Sequence, residues 1–442
     1  MRPRPPIPEG PYLIVGLARS GAAAARVLRE RGERVIGVDA GAPAGAPELL
    51  AQGVELHLHD DGLTHLEDAR AVVKSPGVPA QAPAIAAARE RRVPVLGELE
   101  LAWRLLANEF IAVTGTNGKT TTVEWIGHIH REAGLPVAVA GNVGAALSGL
   151  VGRIEEQATV VCETSSFQLE DTLAFAPEAA VLLNITPDHL DRHGTLETYK
   201  EAKLQIFARQ RKGDIAVTPL SLAQMPLAGG AGRVYFGEGD NAECALRDGS
   251  LWWEEQSLLA SAELRLRGEH NVQNAMAAAA VCLARGVDLD AVRAGLRSFA
   301  GVPHRLAEVA RRGGVLYVND SKATNVASTL VALRAFPEGG IHLILGGQGK
   351  DQDFAALRDA VAEGCRAVYL IGEDAPLIAG ALGGAEVPLR ECGDLERAVA
   401  AASAAARGGE TVLLSPACAS FDQFADFEVR GELFAALVER VL

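Results

Sequence analysis

Two glycines, a lysine and a run of threonines stand together in GTNGKTTT, residues 115–122, just past the apolar run that begins at Phe110. Glycines let backbone amides approach an anion closely. The amides of residues 116–120 can then converge on a phosphate at the start of a helix. Lys119 can neutralise β- and γ-phosphate oxygens, and the Thr120 hydroxyl can join a magnesium ion. The long form of such a loop, GxxxxGK[ST], would begin at position 113, which is Val113 here, so this is a shorter version. Gly115, Thr116, Asn117, Gly118, Lys119, Thr120 and Thr121 make up the candidate triphosphate grip.

Spending ATP also requires metal ligands and a fate for the γ-phosphoryl group. Glu163 follows the apolar run 158–162, where a carboxylate for magnesium belongs. His189 follows another apolar run, in NITPDHLDRHG. Magnesium prefers oxygen, so Asp188 and Asp191 beside it are rival ligands, or helix caps. Lys200 and Lys203 share one helix face three residues apart, and a solvated face is the plain reading of both.

The elements that must position these residues are legible as apolar runs ending in polar residues. Tyr12–Val15 reads as a strand, Gly16–Gly21 as a tight turn, residues 21–31 as an alanine-rich helix and Val35–Val38 as a second strand ending at Asp39. That is a mononucleotide-binding βαβ unit. Its GxxxSG spacing is not GxGxxG, so the dinucleotide reading is weak. A nucleoside diphosphate could sit at the helix start, or the glycines could serve packing alone. Asp39 could accept hydrogen bonds from a ribose or base, or be a surface turn residue. AVVKSPGVP (71–79) reads as a strand and a turn, with Ser75 and Gly77 near the strand's carboxyl end.

This first section closes near residue 108. A second begins at Phe110 and repeats apolar runs through GNVG, ETSSFQLE, NITPDHLDRHGT and GDIAVT, which predicts a mostly parallel sheet with ligands past the strand ends. Residues 231–269 read as a small antiparallel edge. A third section starts near Gly301, with four apolar strands separated by helices.

Bulk properties narrow the field. The 442 residues carry a formal charge of -14, with acids and bases interspersed, so nucleic acid is not expected as a partner. The six cysteines include no CxxC pair, and a chain this long does not need a disulfide scaffold. No uncharged apolar run reaches the roughly 18 residues of a membrane span, and no signal-like start is present. A cytoplasmic, monomeric protein is the expectation.

Taken together, GTNGKTTT, GNVG, ETSSFQLE, NITPDHLDRH, GEHNVQNAMAA, PHR and NDSKATN resemble the Mur ligases, ATP-dependent amino-acid-adding enzymes of peptidoglycan precursor synthesis. The match covers the whole chain. SPGVP, SSFQLE, LGGQGKDQDF and LLSPACASFDQFADFEVRG look most like the branch that joins D-glutamate to UDP-N-acetylmuramoyl-L-alanine. The resemblance implies an α/β architecture of three domains. A Rossmann-like N-terminal domain (1–108) takes the UDP substrate, a P-loop ATPase-like central domain (109–300) binds ATP, and a Rossmann-like C-terminal domain (301–442) receives the amino acid. It also implies two steps, acyl phosphate formation and then amide formation.

The roles that the resemblance implies fall on particular residues. Lys119 serves the triphosphate, and Thr120, Glu163, His189 and Lys203 serve two magnesium (or manganese) ions, with Lys203 carbamylated. Asn271 and Asp320 serve the nucleoside of ATP, Arg305 binds ATP at the third-domain hinge, and Lys322 faces phosphate and substrate, with Asn325 nearby. Ala18, Arg19, Ser20, Asp39, Ser75, Gly77, Asn142, Ser165 and His304 contact the UDP-linked substrate. Thr324, Lys350, Ser420 and Phe427 contact D-glutamate, and Phe421 is a further substrate-binding residue. Arg19 is a mild departure from the family, whose members have small or apolar residues there. The rival readings are another Mur-type ligase, a folylpolyglutamate synthase-like ligase and a non-catalytic nucleotide sensor. The residues ahead of Phe110 speak against the second, and Glu163, His189 and Lys203 together against the third.

Overall fold

Apolar β-branched runs, spaced by alanine-rich helices, build three separate sheets. The computed structural model describes residues 2–142, 144–266, 268–336, 338–349 and 352–441, without the side chains of Leu190, Asp191 and Val441. The chain divides into two compact units, Met1–Phe299 and Ala300–Leu442.

The first unit holds two sheets. Strands β1 (Tyr12–Val15), β2 (Val35–Asp39), β3 (Glu55–Leu58), β4 (Ala71–Lys74) and β5 (Val95–Gly97) form a parallel sheet in the order β3-β2-β1-β4-β5. Its two faces are covered by separate clusters, one around Tyr12, Ile14 and Leu28, the other around Leu13, Val72 and Ile85. The helix Arg19–Glu30 starts two residues before the expected position. Gly21 is required there, because a Cβ on it would lie 1.8 Å from the carbonyl oxygen of Gly16. Gly21→Ala should therefore displace the turn and destabilise the chain by about 1–3 kcal/mol, the usual range for overpacking. An unchanged denaturant midpoint would show that the turn can yield.

The second sheet comprises β6 (Phe110–Thr114), β7 (Val137–Gly141), β8 (Thr159–Glu163), β9 (Ala179–Leu182), β10 (Ile215–Pro219), β11 (Gly232–Glu238), β12 (Cys244–Arg247), β13 (Ser250–Trp253) and β14 (Gln256–Ala260). The order is β14-β13-β12-β11-β10-β9-β6-β8-β7, so β6 lies between β8 and β9. The predicted antiparallel edge is smaller than expected. β11 and β12 still pair parallel to their inner neighbours, and only β13 runs against them, antiparallel to both β12 and β14. Asp248 and Gly249 join β12 to β13 in a two-residue exposed turn with φ of 47° and 73°. Both central residues are left-handed, as a type I′ hairpin requires. The helix Glu269–Ala284 is buried continuously from Asn274 to Cys282, its alanines allowing close approach to the sheet.

Buried charges join the two sheets of this unit. Glu100 accepts the backbone amides of Leu173, Ala174 and Phe175 and pairs with Arg104 at 2.7 Å. The N-terminal segment adds Arg4, which lies over Trp103 and donates to the Asn108 carbonyl.

The second unit holds β15 (Ala307–Arg312), β16 (Val315–Asn319), β17 (Ile341–Gly346), β18 (Cys365–Ile371), β19 (Leu389–Gly393) and β20 (Thr411–Leu414), in the order β15-β16-β20-β17-β18-β19. The four predicted strands are its interior. Antiparallel β15 and parallel β19 are the additions at the two edges.

Candidate active site

In both units the polar candidates cluster where parallel strands end, the usual ligand crevice of such sheets. β6 feeds the phosphate loop, and the helix Lys119–Glu132 leaves it. Gly118 has φ +84° and faces Asn274, whose Oδ1 would lie 2.3 Å from any Cβ there. Lys119 curls back and donates to the carbonyls of Gly115 (3.0 Å) and Thr116 (2.9 Å). Thr120 Oγ1 donates to Glu163 Oε2 at 2.7 Å. Asn142 Nδ2 donates to the other Glu163 oxygen at 3.1 Å. Glu163, at the end of β8, is buried.

Lys203 is the most informative residue of this group. It is buried, and its Nζ donates to the Gly115 carbonyl at 2.8 Å and lies over the Tyr199 ring. Burial, and then the charge of Lys119, lower its pKa to about 7, although Asp188 and Glu163 act in the opposite sense. Tyr199 in turn bonds Thr116 Oγ1 at 3.2 Å. His189 is exposed, has φ +51°, packs against Phe167 with centroids 4.9 Å apart and lies 3.5 Å from Asp188. The side chain of Asp191 lies outside the described residues.

At the first sheet, both oxygens of Asp39 accept backbone amides, from Leu17 (2.7 Å) and Gly41 (2.8 Å). Asp39 thus ties the Gly16 turn to its own loop. Ala18 is the N-cap of the helix that contains Arg19 and Ser20. The Arg19 guanidinium donates to the Asn142 carbonyl at 2.7 Å, linking this turn to GNVG. Ser75 is buried, whereas Gly77 is exposed. Ser165 caps the short helix Ser166–Leu169 in a capping box with Gln168.

In the second unit Asp320 follows β16 and is buried. Its carboxylate accepts the Leu306 amide (3.1 Å) and the Ser415 hydroxyl (2.8 Å). Burial nevertheless raises its pKa to about 7. The Lys322 amide donates to the His304 carbonyl at 2.9 Å. His304 meets the Phe427 ring edge-on, with centroids 6.4 Å apart. Arg305 lies beside Asp320, whose pKa its charge lowers. Thr324 follows in the same turn, and Asn325 is the N-cap of the helix Val326–Arg334. Ser420 is buried and Phe421 is 65% exposed. Lys350 lies outside the described residues.

Asp320 yields a pH prediction. Its folded pKa of about 7 exceeds the ordinary value of 3.8, so the fold prefers the protonated acid. That stability is complete below pH 3.8 and is lost as pH rises to about 7. Asp320→Asn in the full chain should flatten the decline in melting temperature across that window. An identical decline in both proteins would place the titration elsewhere.

Three family models cover most of the chain: Mur ligase MurD-like, N-terminal domain (residues 11–97), Mur ligase middle domain (113–282) and Mur ligase, glutamate ligase domain (304–418). A UDP-N-acetylmuramoylalanine--D-glutamate ligase from Acidobacterium capsulatum is 43% identical, with 96% of this chain and 95% of that protein covered. The chain belongs to the Mur ligase family. A relative of the same name from Pelotomaculum thermopropionicum is 42% identical, with 96% of each protein covered. The UDP-N-acetylmuramate-alanine ligase of Thermotoga maritima, whose structure is solved, shares the fold with a TM-score of 0.61 at 21% identity, covering 98% of this chain and 100% of that one.

Among the described residues of this Mur ligase, no set of three or more His, Cys, Asp or Glu side chains gathers as a metal cage. The donor chemistry still fits magnesium. Thr120 and Glu163 present adjacent oxygens beside the phosphate loop.

Several residues of the site escaped sequence reasoning. Asn184 exchanges hydrogen bonds with the Asn117 backbone, at 2.9 and 3.2 Å, and so holds the phosphate loop from β9. Asn274 bonds Asn271 at 3.2 Å, and the i,i+3 spacing in HNVQNA was the available signal. Among the described residues no helix is long and apolar enough to cross a membrane.

Proposed function

We propose that this chain joins D-glutamate to UDP-N-acetylmuramoyl-L-alanine at the expense of ATP, through an acyl phosphate, in peptidoglycan precursor synthesis. The end-to-end similarity to relatives named for that reaction supports the substrates. The observation that carries the chemistry is the cluster at the head of the phosphate loop. There Thr120 bonds Glu163, and a lysine with lowered pKa lies beside them.

A carboxylate is a poor electrophile because its leaving group would be oxide. Attack of the substrate carboxylate on the γ-phosphorus gives an acyl phosphate and ADP. The amine of D-glutamate then attacks the acyl carbon, an amide bond forms, and phosphate leaves with the C–O electron pair. Lys119 offsets the repulsion between carboxylate and triphosphate. Gly115–Thr121 would cradle the phosphates, with Asn271 and Asp320 on the nucleoside and Arg305 also serving ATP. Thr120, Glu163, His189 and a carbamylated Lys203 would hold two magnesium or manganese ions, which supply charge neutralisation when bound. A neutral amine is what carbon dioxide needs, and the lowered pKa of Lys203 supports that modification.

The UDP-linked substrate would use Ala18, Arg19, Ser20, Asp39, Ser75, Gly77, Asn142, Ser165 and His304. Lys322 would serve phosphate and substrate. Thr324, Lys350, Ser420 and Phe427 would receive D-glutamate, with Phe421 as a further substrate contact. Residues 1–108, 109–300 and 301–442 would act as the UDP-substrate, ATP and amino-acid domains of a cytoplasmic monomer. The test is phosphate release from ATP with UDP-N-acetylmuramoyl-L-alanine present and single amino acids varied. Release only with D-glutamate, together with a new amide, is the expected result. Turnover with a different amino acid or a folate acceptor would move the chain to a sister activity.

A further inference from the structure

The turn at residues 75–79, which leaves β4, is gripped by two cations from different elements. Lys74 Nζ donates to the Val78 carbonyl at 3.0 Å. Lys74 and Asp171 are both buried, and their Nζ–Oδ2 separation is 2.7 Å. The remaining Asp171 oxygen takes Arg89 at 3.1 Å. Arg192 donates through Nη1 to the Pro76 carbonyl (3.2 Å) and through Nη2 to the same Val78 carbonyl (3.3 Å). Arg192 belongs to the short helix Leu190–His193, directly after His189. Its guanidinium is fixed over the Phe167 ring, 4.1 Å from the centroid, and lies 3.9 Å from Glu170.

Two carbonyls of one turn thus meet one planar fork, whose rigid pair of donors an ammonium on a flexible stem does not supply. The partners are backbone atoms, so the fork sets where the turn lies. The turn carries Ser75 and Gly77, and the helix carries the residue next to His189. We propose that Arg192 and the Lys74–Asp171 pair are positioning residues that clamp the 75–79 turn to the 189–193 segment, so that the UDP-linked substrate is held in register with the phosphate end of ATP. This rests on the reading of the substrates given above. A displacement of about 1 Å in such a register costs on the order of a hundredfold in rate.

The experiment measures binding of UDP-N-acetylmuramoyl-L-alanine by calorimetry without ATP or metal ion, beside kcat at saturating substrates. Arg192→Met should weaken that binding about tenfold, the loss of a charge-assisted pair of hydrogen bonds. Binding of ATP should change less than about twofold by the same arithmetic. Arg192→Lys should fall between, because an ammonium keeps the charge but lacks the planar fork. Lys74→Met combined with Asp171→Asn removes the buried pair without leaving a lone carboxylate and should weaken the same ligand. Unchanged binding and kcat in Arg192→Met, with only a lower melting temperature, would reduce the contact to a brace and overturn the clamp. Absence of binding by the wild-type protein would overturn the substrate reading, and the clamp with it.

Discussion

Lys203→Met should lose turnover by about a hundredfold to a thousandfold, the range seen when one electrostatic group of a preorganised site is removed. The loss should come without unfolding. Lys203 is buried, and its amine costs the fold most when charged. With a folded pKa of about 7 against the ordinary 10.5, the residue contributes stability that is complete above pH 10.5 and is lost as pH falls through about 7. Methionine fills similar space and does not titrate, so below pH 7 the variant should melt no earlier than the wild type. The same pKa makes the neutral amine available near neutrality. Wild-type protein in isotope-labelled bicarbonate should therefore carry the label on Lys203, and less of it below pH 7. Full activity in bicarbonate-free buffer, with no labelled adduct, would remove the carbamate from the account.

Lys119→Met should cost about a thousandfold in ATP turnover, since charge on the transferring phosphoryl group is the main demand of the first step. A second effect follows from the neighbouring amine. The charge of Lys119 helps to lower the Lys203 pKa, and both amines donate to the Gly115 carbonyl. Removing Lys119 raises the Lys203 pKa and leaves less neutral amine to modify. Labelled bicarbonate uptake should fall in Lys119→Met although Lys203 is intact. The double variant should then lose less than the sum of the two single losses. Additive losses and normal uptake would mean that the two lysines act separately.

The phosphate loop was legible because its chemistry is local. Glycines, lysine and threonine are contiguous, and strand β6 and the helix after it announce themselves by apolar pattern. Glu163 was legible as the polar end of β8. Edge strands β15 and β19 were not, since their faces are half exposed and carry Arg311, Arg312, Arg390 and Glu391, which break the apolar run. Residues acting on backbone atoms far away in sequence were invisible for a different reason. Asn184 holds Asn117 across 67 positions, and Arg192 reaches Pro76 across 116. No spacing rule encodes such contacts. Asp39 illustrates a third case, where one sequence supports two uses. Its two oxygens already serve the turn, which leaves only their remaining lone pairs for a ligand.

The Asp248–Gly249 turn has a practical consequence. It is exposed, belongs to a hairpin that supplies no candidate site residue, and three strands separate β12 from β6. At the usual strand spacing that is a distance of about 20 Å. An engineered cysteine, epitope or surface tether placed there would give a point of attachment from which the enzyme could be immobilised or followed by fluorescence while it turns over.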